Sequence, residues 1–415
     1  MNEKLEEKPL GYWEKESYML AIPRDYGDNI LTEIFERVSK IDGIKLLEKE
    51  PYSGNAPGKM VVNYENEDFE IGFYPSNFSL PKVYINKKYY FSEEDINILR
   101  NSRVALTFFM KFGKDVKKSF HLQLKIAFYA VPNLIGIMDE SAEKMLPRNW
   151  VKMTAKSKYT PGPEDIYTVH AVSSEDGEIW LHTHGLCRCN LTELEILNSD
   201  INNYRVHYNL LSTFASYLID KKYNVIPGEN GVYIGNLSNN QPIVVTYLPW
   251  TKGLKEYKDL KLGNIKDREN AHNSKTGIIF IYKSKEDEEN RVYSKPTIYN
   301  DLLKEDPIFF LSDEETERIR NIAIERFELL RKDFEKNKNE TQIKIGIEEN
   351  GEKEHIWFEL LEIKEDRLKV KLLQEPYFVK SMHKGDIKEY SIKDITDWAV
   401  FTKNGTISPE KAYLL

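Results

Sequence analysis

The chain has 415 residues, of which 40% are hydrophobic and 12% aromatic, and it carries a formal net charge of −8. This length exceeds what one hydrophobic core usually supports, so two or three domains are expected, and the apolar content excludes a wholly disordered chain. Acidic and basic residues are interleaved without a long Lys/Arg run, which argues against nucleic acid or a membrane surface as a partner.

Cysteine usage and the N-terminus bear on the compartment. The two cysteines, Cys187 and Cys189, are separated by a single residue. That spacing suits a structural disulfide poorly and argues against a disulfide-stapled secreted protein. Residues 1–7 are charged and lack the apolar run of a signal peptide, and no stretch approaches the roughly 18 apolar residues of a spanning helix. The sequence therefore predicts a cytoplasmic protein.

The first 150 residues predict a layered α+β domain. Residues 18–22 form a short apolar strand, residues 28–40 and 116–130 have helical spacing, and residues 59–74 alternate as a hairpin. Irregularly mixed helices and hairpins favour this architecture over a doubly wound parallel sheet. The Pro161-Gly162-Pro163 break places a boundary between residues 150 and 163.

Residues 151–338 predict a second α+β domain. Strands over residues 166–172 and 178–184 flank a polar turn, and helices are predicted over residues 191–197 and 204–220. Ser312 and Glu315 have the spacing of a capping box that starts a long helix. That helix runs into a charged linker, which ends the second domain.

Residues 339–415 consist of strand after strand, separated by turn signals such as Asn350-Gly351 and Asn404-Gly405. This pattern predicts a small all-β, barrel-like C-terminal domain. The predicted fold class is therefore α+β, with two layered α+β domains followed by this third domain.

The segment from Trp180 to Glu195 contains two of the eight histidines and both cysteines. In a strand, alternate side chains point to the same side, so His182 and His184 point together, and His170 on the partner strand could join them. Imidazole and thiolate groups are good zinc ligands, and a tetrahedral site needs three or four of them. Cys187 and Cys189 are further candidate ligands.

The order His182-x-His184, then Thr192 and Glu195, resembles the metal motif of the JAB/MPN (JAMM) metalloproteases. That family has His-x-His-Pro followed by Ser-x-x-Asp, so this chain departs from it at Gly185, Thr192 and Glu195. The resemblance implies a zinc-dependent hydrolase in which His182, His184 and Glu195 bind zinc and Thr192 orients the oxyanion side. The family also has an upstream glutamate base, for which the sequence offers Glu140, Glu143 and Glu164.

The same residues also have a purely structural interpretation. Thr192 and Glu195 fit a helix capping box, and the histidines fit a half-buried, hydrogen-bonded strand. The cysteines would be small apolar fillers, and Arg188 would pair with Glu193. In that interpretation no metal binds.

The last seventy-five residues resemble the YegJ-like family of bacterial domains of unknown function. The resemblance rests on the Glu354–Trp357 strand, the Gln374-Glu375-Pro376 turn, Gly385-Asp386, and Ile395-x-Asp397-Trp398. The block around residues 180–195 resembles another uncharacterised bacterial family that often precedes such domains. These resemblances imply a bacterial, cytosolic and modular protein. They single out four residues: His355, Trp357, Asp397 and Trp398. As functional residues these would form a surface patch for a ligand or peptide. In the structural interpretation the tryptophans belong to the core, and His355 and Asp397 hydrogen-bond to nearby backbone groups.

No complete catalytic set is found, so the leading prediction is a non-catalytic binding or accessory protein with a protein or small-molecule partner. The alternative is the JAMM-like zinc-dependent hydrolase centred on His182, His184 and Glu195. No cofactor is expected apart from zinc at that segment.

Overall fold

The computed structural model describes residues 16–27, 29–86, 88–220, 225–268, 276–305 and 307–415. The charged segment of residues 1–7 lies outside them. The described residues contain three separate sheets, and helices alternate with their strands along the chain, which confirms the mixed α+β class. None of the described helices is long and apolar enough to cross a membrane.

The chain divides into two compact units. The first unit comprises described residues up to Val151 and Pro161–Leu311, and it contains two of the sheets. The second unit comprises Lys152–Thr160 and Ser312–Leu415, and it contains the third sheet.

The first sheet is antiparallel, with strand order β2-β3-β4-β5-β1-β6-β7. Its strands are β1 Glu16–Pro23, β2 Ile44–Glu50, β3 Gly58–Tyr64, β4 Glu67–Asn77, β5 Val104–Lys111, β6 Leu134–Asp139 and β7 Lys144–Pro147. The helices in this part of the chain are α1 Asn29–Thr32, α2 Ile34–Ser39, α3 Glu93–Asn101, α4 Val116–Ala130 and α5 Arg148–Lys156. Every residue of β6 is buried, so its last residue, Asp139, carries a carboxylate into the interior.

The second sheet has strand order β14-β11-β12-β13-β10-β9-β8, and only the described pair of β10 and β13 is parallel. Its strands are β8 Thr168–Ser173, β9 Glu178–His184, β10 Glu193–Asp200, β11 Val232–Asn236, β12 Pro242–Pro249, β13 Thr276–Tyr282 and β14 Ile308–Phe309. Its helices are α6 Tyr204–Ile219, α7 Trp250–Gly253, α8 Ile265–Arg268, α9 Lys285–Glu289 and α10 Asn300–Leu303.

The helix predicted over residues 191–197 is wrong, because residues 193–197 belong to strand β10. The first five residues of β10 are all buried, since the strand pairs with β9 on one side and β13 on the other. Thr192 and Glu195 have the spacing of a helix capping box, but here the pairing with two neighbouring strands decides. The hairpin over residues 168–184 and the helix over residues 204–219 are confirmed.

The second unit has an antiparallel six-stranded sheet with strand order β18-β17-β16-β15-β19-β20. This sheet confirms the predicted β-rich C-terminal part. Its strands are β15 Glu340–Glu349, β16 Glu352–Lys364, β17 Arg367–Leu372, β18 Ile387–Ser391, β19 Ile395–Thr402 and β20 Gly405–Ile407. Helices α11 Asp313–Glu325 and α12 Phe327–Asn337 pack on this sheet and share its core through Ala323, Phe327 and Leu330. Ser312 caps α11 as predicted, accepting from the Glu315 amide at 3.0 Å.

A buried ion pair joins the first two sheets. Arg188 lies in the turn after β9, and its guanidinium donates to both carboxylate oxygens of Asp139 at 2.7 and 2.8 Å. It also donates to the Ser17 hydroxyl on β1 at 2.9 Å and to the Ile166 carbonyl. Both charged side chains are at most 1% exposed. A buried pair of this geometry holds its two chain segments in one arrangement, because separating the charges would leave each without its partner.

We expect Arg188→Met to lower the free energy of unfolding by about 3–5 kcal/mol, because Asp139 would remain as a buried charge without its bidentate partner. The matched control is Arg291→Met, which removes an exposed pair with Glu229 and should cost under about 1 kcal/mol. Urea unfolding followed by tryptophan fluorescence measures both. Adding Asp139→Asn to Arg188→Met should recover part of the loss, and equal losses in the single and double variants would contradict the assignment.

Candidate functional site

Three histidines converge on one face of the β8–β9 hairpin. In its register His170 lies directly opposite His182, and Thr168 lies opposite His184. Residues two apart in a strand share a face, so the three imidazoles meet. Their potential ligand nitrogens all lie within 4.8 Å of one another. His182 is 3% exposed, whereas His170 and His184 are half-buried.

Glu143 approaches this histidine cluster (His170, His182 and His184) from the first sheet. It follows the short turn Glu140–Ala142 and has a left-handed backbone with φ of 50°. One carboxylate oxygen lies 3.3 Å from Nδ1 of His184, and the other lies 3.5 Å from Nδ1 of His170. Of the three upstream glutamates considered from the sequence, Glu143 is therefore the one that reaches the cluster.

The surroundings of Glu143 are partly desolvated. Burial raises the pKa of the Glu143 carboxyl, and the charge of Glu193 adds to this shift. Burial, together with the charges of Glu143 and Glu140, raises the pKa of Tyr84 to about 12. The next residue along the chain is Lys144, whose pKa burial lowers to about 7. Charged groups near the cluster thus lie in a poorly hydrated environment, where an opposite charge has a strong effect.

Glu195 has partners other than the histidines. Arg268 donates to both of its carboxylate oxygens at 2.7 and 2.9 Å, and the Trp180 indole donates at 2.8 Å. The Glu195 side chain is fully buried in this arrangement. Glu195 lies opposite His182 in the β9–β10 pairing, but its carboxylate is held by a cation.

Glu193 organises the turn that follows His184. Its carboxylate accepts from the Thr183 hydroxyl at 2.6 Å and from the amides of Gly185 and Cys187 at 2.8 and 3.0 Å. The expected pairing of Arg188 with Glu193 is wrong, because Arg188 turns to Asp139 while Glu193 is engaged by the turn itself.

The remaining sequence candidates of this segment lie beside the cluster. Cys189 and Thr192 are buried, and Cys187 is half-buried. The cysteines form the turn Cys187–Cys189, and the group of potential ligands that converges among the described residues contains the histidines without either thiol. Thr192 does not cap a helix, because strand β10 begins at the next residue.

The C-terminal candidates are divided between the two faces of the third sheet. Trp398 is fully buried, and its indole donates to the Ala323 carbonyl of α11 at 3.0 Å. Trp357 and Asp397 both lie opposite Lys344, so the three form a row across neighbouring strands. Burial raises the pKa of Asp397 to about 6.

His355 lies near this row and hydrogen-bonds through Nδ1 with Thr396 at 3.1 Å. Trp357, Asp397 and His355 are half-buried, whereas Trp398 belongs to the core. The four candidates thus do not form one continuous patch.

The chain is matched by three family models. Residues 17–161 match the N-terminal model of a protein of unknown function (DUF4026), and residues 169–280 match its C-terminal model. Residues 306–409 match DUF2314, described as an uncharacterized protein conserved in bacteria. In chain order the matches are therefore to the two DUF4026 models and then to DUF2314.

Neither a curated protein nor a solved structure matches the chain. The DUF2314 match includes the residues that carry the suggested YegJ-like resemblance, from Glu354 to Trp398. The resemblance to the YegJ-like family and the resemblance to the JAMM motif both remain predictions. In terms of the family models, Glu143 belongs to the N-terminal DUF4026 match and the three histidines to the C-terminal one.

Gly185 allows the turn of Glu143 to approach the histidine strand. Its φ is 111°, and an added Cβ would lie 2.8 Å from the Ile166 carbonyl oxygen and 3.0 Å from Cβ of Ala142. A side chain at this position would therefore push against the turn that carries Glu143.

We expect Gly185→Ala to lower the free energy of unfolding by about 1–3 kcal/mol through backbone strain and this close contact. Gly177→Ala is the matched control, because Gly177 also has a positive φ of 83° but nothing lies within 4 Å of its added Cβ. Chemical denaturation of the two variants measures the difference. If Gly177→Ala costs as much as Gly185→Ala, the close contact has no energetic role.

Proposed function

We propose that this protein binds a divalent metal ion of the zinc type through His170, His182, His184 and Glu143, in a non-catalytic role. The observation that carries the proposal is the convergence of three imidazoles within 4.8 Å beside a carboxylate. This ligand set keeps the two histidines of the sequence motif and replaces Glu195 by His170 and Glu143.

The distances around Glu143 support a shared ion. Two ligand atoms bound to one tetrahedral zinc, with bonds of about 2.0–2.2 Å, lie about 3.4 Å apart. The distance of 3.3 Å between one Glu143 carboxylate oxygen and Nδ1 of His184 is close to this value. The nitrogens of the three histidines would need to approach one another by about 1.4 Å at most, which small side-chain rotations can supply.

The chemistry of the ligands favours zinc over calcium or magnesium. Imidazole suits zinc and its transition-metal neighbours, whereas the two alkaline-earth ions prefer sites made of oxygen atoms. His170 and His184 are half-buried, so an ion can enter from solvent, and His182 at 3% exposure provides the inner wall.

The number of protein ligands favours a binding role. Three imidazoles and one carboxylate complete a tetrahedral shell, whereas catalytic zinc sites keep one position for water or substrate. The JAMM-like alternative requires the Glu195 carboxylate, which would first have to leave Arg268 and Trp180. Breaking such a buried pair costs several kcal/mol.

Metal analysis of the full chain, after equilibration with micromolar zinc and removal of free metal, tests the proposal. We expect one equivalent in the natural protein and its loss in the His182→Ala/His184→Ala double variant. Glu143→Gln should weaken affinity at least about tenfold in competition with a chromogenic chelator, because a carboxylate ligand is replaced by a neutral amide. With cobalt(II), the natural protein should give the intense visible absorption of a tetrahedral site.

His383→Ala is the matched control, because His383 also pairs with a glutamate, Glu375, at 2.7 Å. That pair is exposed and does not belong to the group of converging histidines. This variant should retain the metal. A natural protein that binds no zinc under these conditions, or a double variant that binds as much as the natural protein, would refute the proposal.

A further inference from the structure

A small cavity lies next to the histidine cluster, within the first unit. Its volume is about 230 Å³, and its wall includes Lys144, Thr168, Tyr208 and Ser212, with Lys88 and Glu164 as charged members. This volume is below the roughly 300–1,000 Å³ typical of sites for drug-sized ligands, so a fitting molecule would be small. The cavity adjoins the cluster because Thr168 lies opposite His184 and Lys144 follows Glu143.

Thr168 provides the first sign of a ligand. The residue is 8% exposed, and no described residue is a hydrogen-bond partner of its Oγ1 atom. A buried hydroxyl without a partner is destabilising, so a wall of apolar side chains would be more stable. Valine has the same shape as threonine without this cost. A hydroxyl here therefore has a physical reason if it bonds to a molecule in the cavity.

Lys144 provides the second sign. Its side chain is 1% exposed, and its amine donates to the backbone carbonyls of Asp165 at 2.5 Å and Tyr167 at 3.0 Å. The nearest Asp139 carboxylate oxygen is 3.9 Å away, which is beyond hydrogen-bonding distance. An ammonium group has three donors, so one donor remains for an acceptor in the cavity.

We infer that this cavity binds a small carboxylate-bearing molecule of about the size of an amino acid, with its carboxylate held by the Lys144 amine and the Thr168 hydroxyl. A carboxylate has two acceptor oxygens and no donor, which matches a cation and a hydroxyl on one wall. The neighbouring Glu164 disfavours a highly charged anion such as phosphate. Binding does not require the metal, since both anchors are protein groups.

The test uses the full chain and three probes, propionate, succinate and L-alanine, with inorganic phosphate for comparison. Ligand-observed NMR and calorimetry should show that at least one carboxylate binds with a dissociation constant of about 1 mM or tighter. Thr168→Val should weaken that binding about fivefold or more while unfolding stability stays equal or rises, because valine removes the unpartnered hydroxyl.

Thr246→Val is the matched control, because Thr246 is a fully buried threonine on β12 that does not belong to the cavity wall. Its affinity for the probe should equal that of the natural protein. The His182→Ala/His184→Ala variant should also bind the probe, which separates this inference from the proposed metal site. Absence of carboxylate binding, binding of phosphate alone, unchanged affinity in Thr168→Val, or binding that requires zinc would each overturn the inference.

Discussion

The buried pair of Arg188 and Asp139 determines where the histidine cluster and its carboxylate meet. Asp139 ends β6, and Glu143 follows one turn later, while Arg188 follows His184 in the turn after β9. Because the guanidinium binds both carboxylate oxygens, these two turns are held against each other. The distances from Glu143 to two of the imidazoles are a consequence of this arrangement. Gly185 contributes by leaving room for the incoming turn.

The sequence predicts local features of this molecule well. Alternation and the turn at residues 173–177 identify the β8–β9 hairpin, and from it follows the shared face of His170, His182 and His184. The start of α11 at Ser312 and the β-rich C-terminal part follow from equally local signals. These features depend on residues close together in the chain, for which spacing alone carries the information.

Features that depend on contacts between distant segments could not be predicted. The sequence predicts a helix over residues 191–197, whereas pairing with β9 and β13 makes residues 193–197 part of a strand. Glu143 was one of three upstream glutamates, and no local pattern distinguishes it from Glu140 or Glu164. Arg188 pairs with Asp139, which is 49 residues away in the chain. Arg268 pairs with Glu195, which is 73 residues away. In each case the partner follows from the packing of whole sheets.

The division of the buried pair between two parts of the chain has a consequence for fragments of this protein. A fragment that ends at residue 161 would contain Asp139 and Glu143, and one that starts at residue 169 would contain Arg188 and the histidines. The first fragment would expose the Asp139 carboxylate and the Lys144 amine, and the second would expose the Arg188 guanidinium, although all three groups are buried in the intact protein. Only association of the two pieces would bury the Arg188–Asp139 pair again, and chain connectivity replaces that bimolecular step in the intact protein.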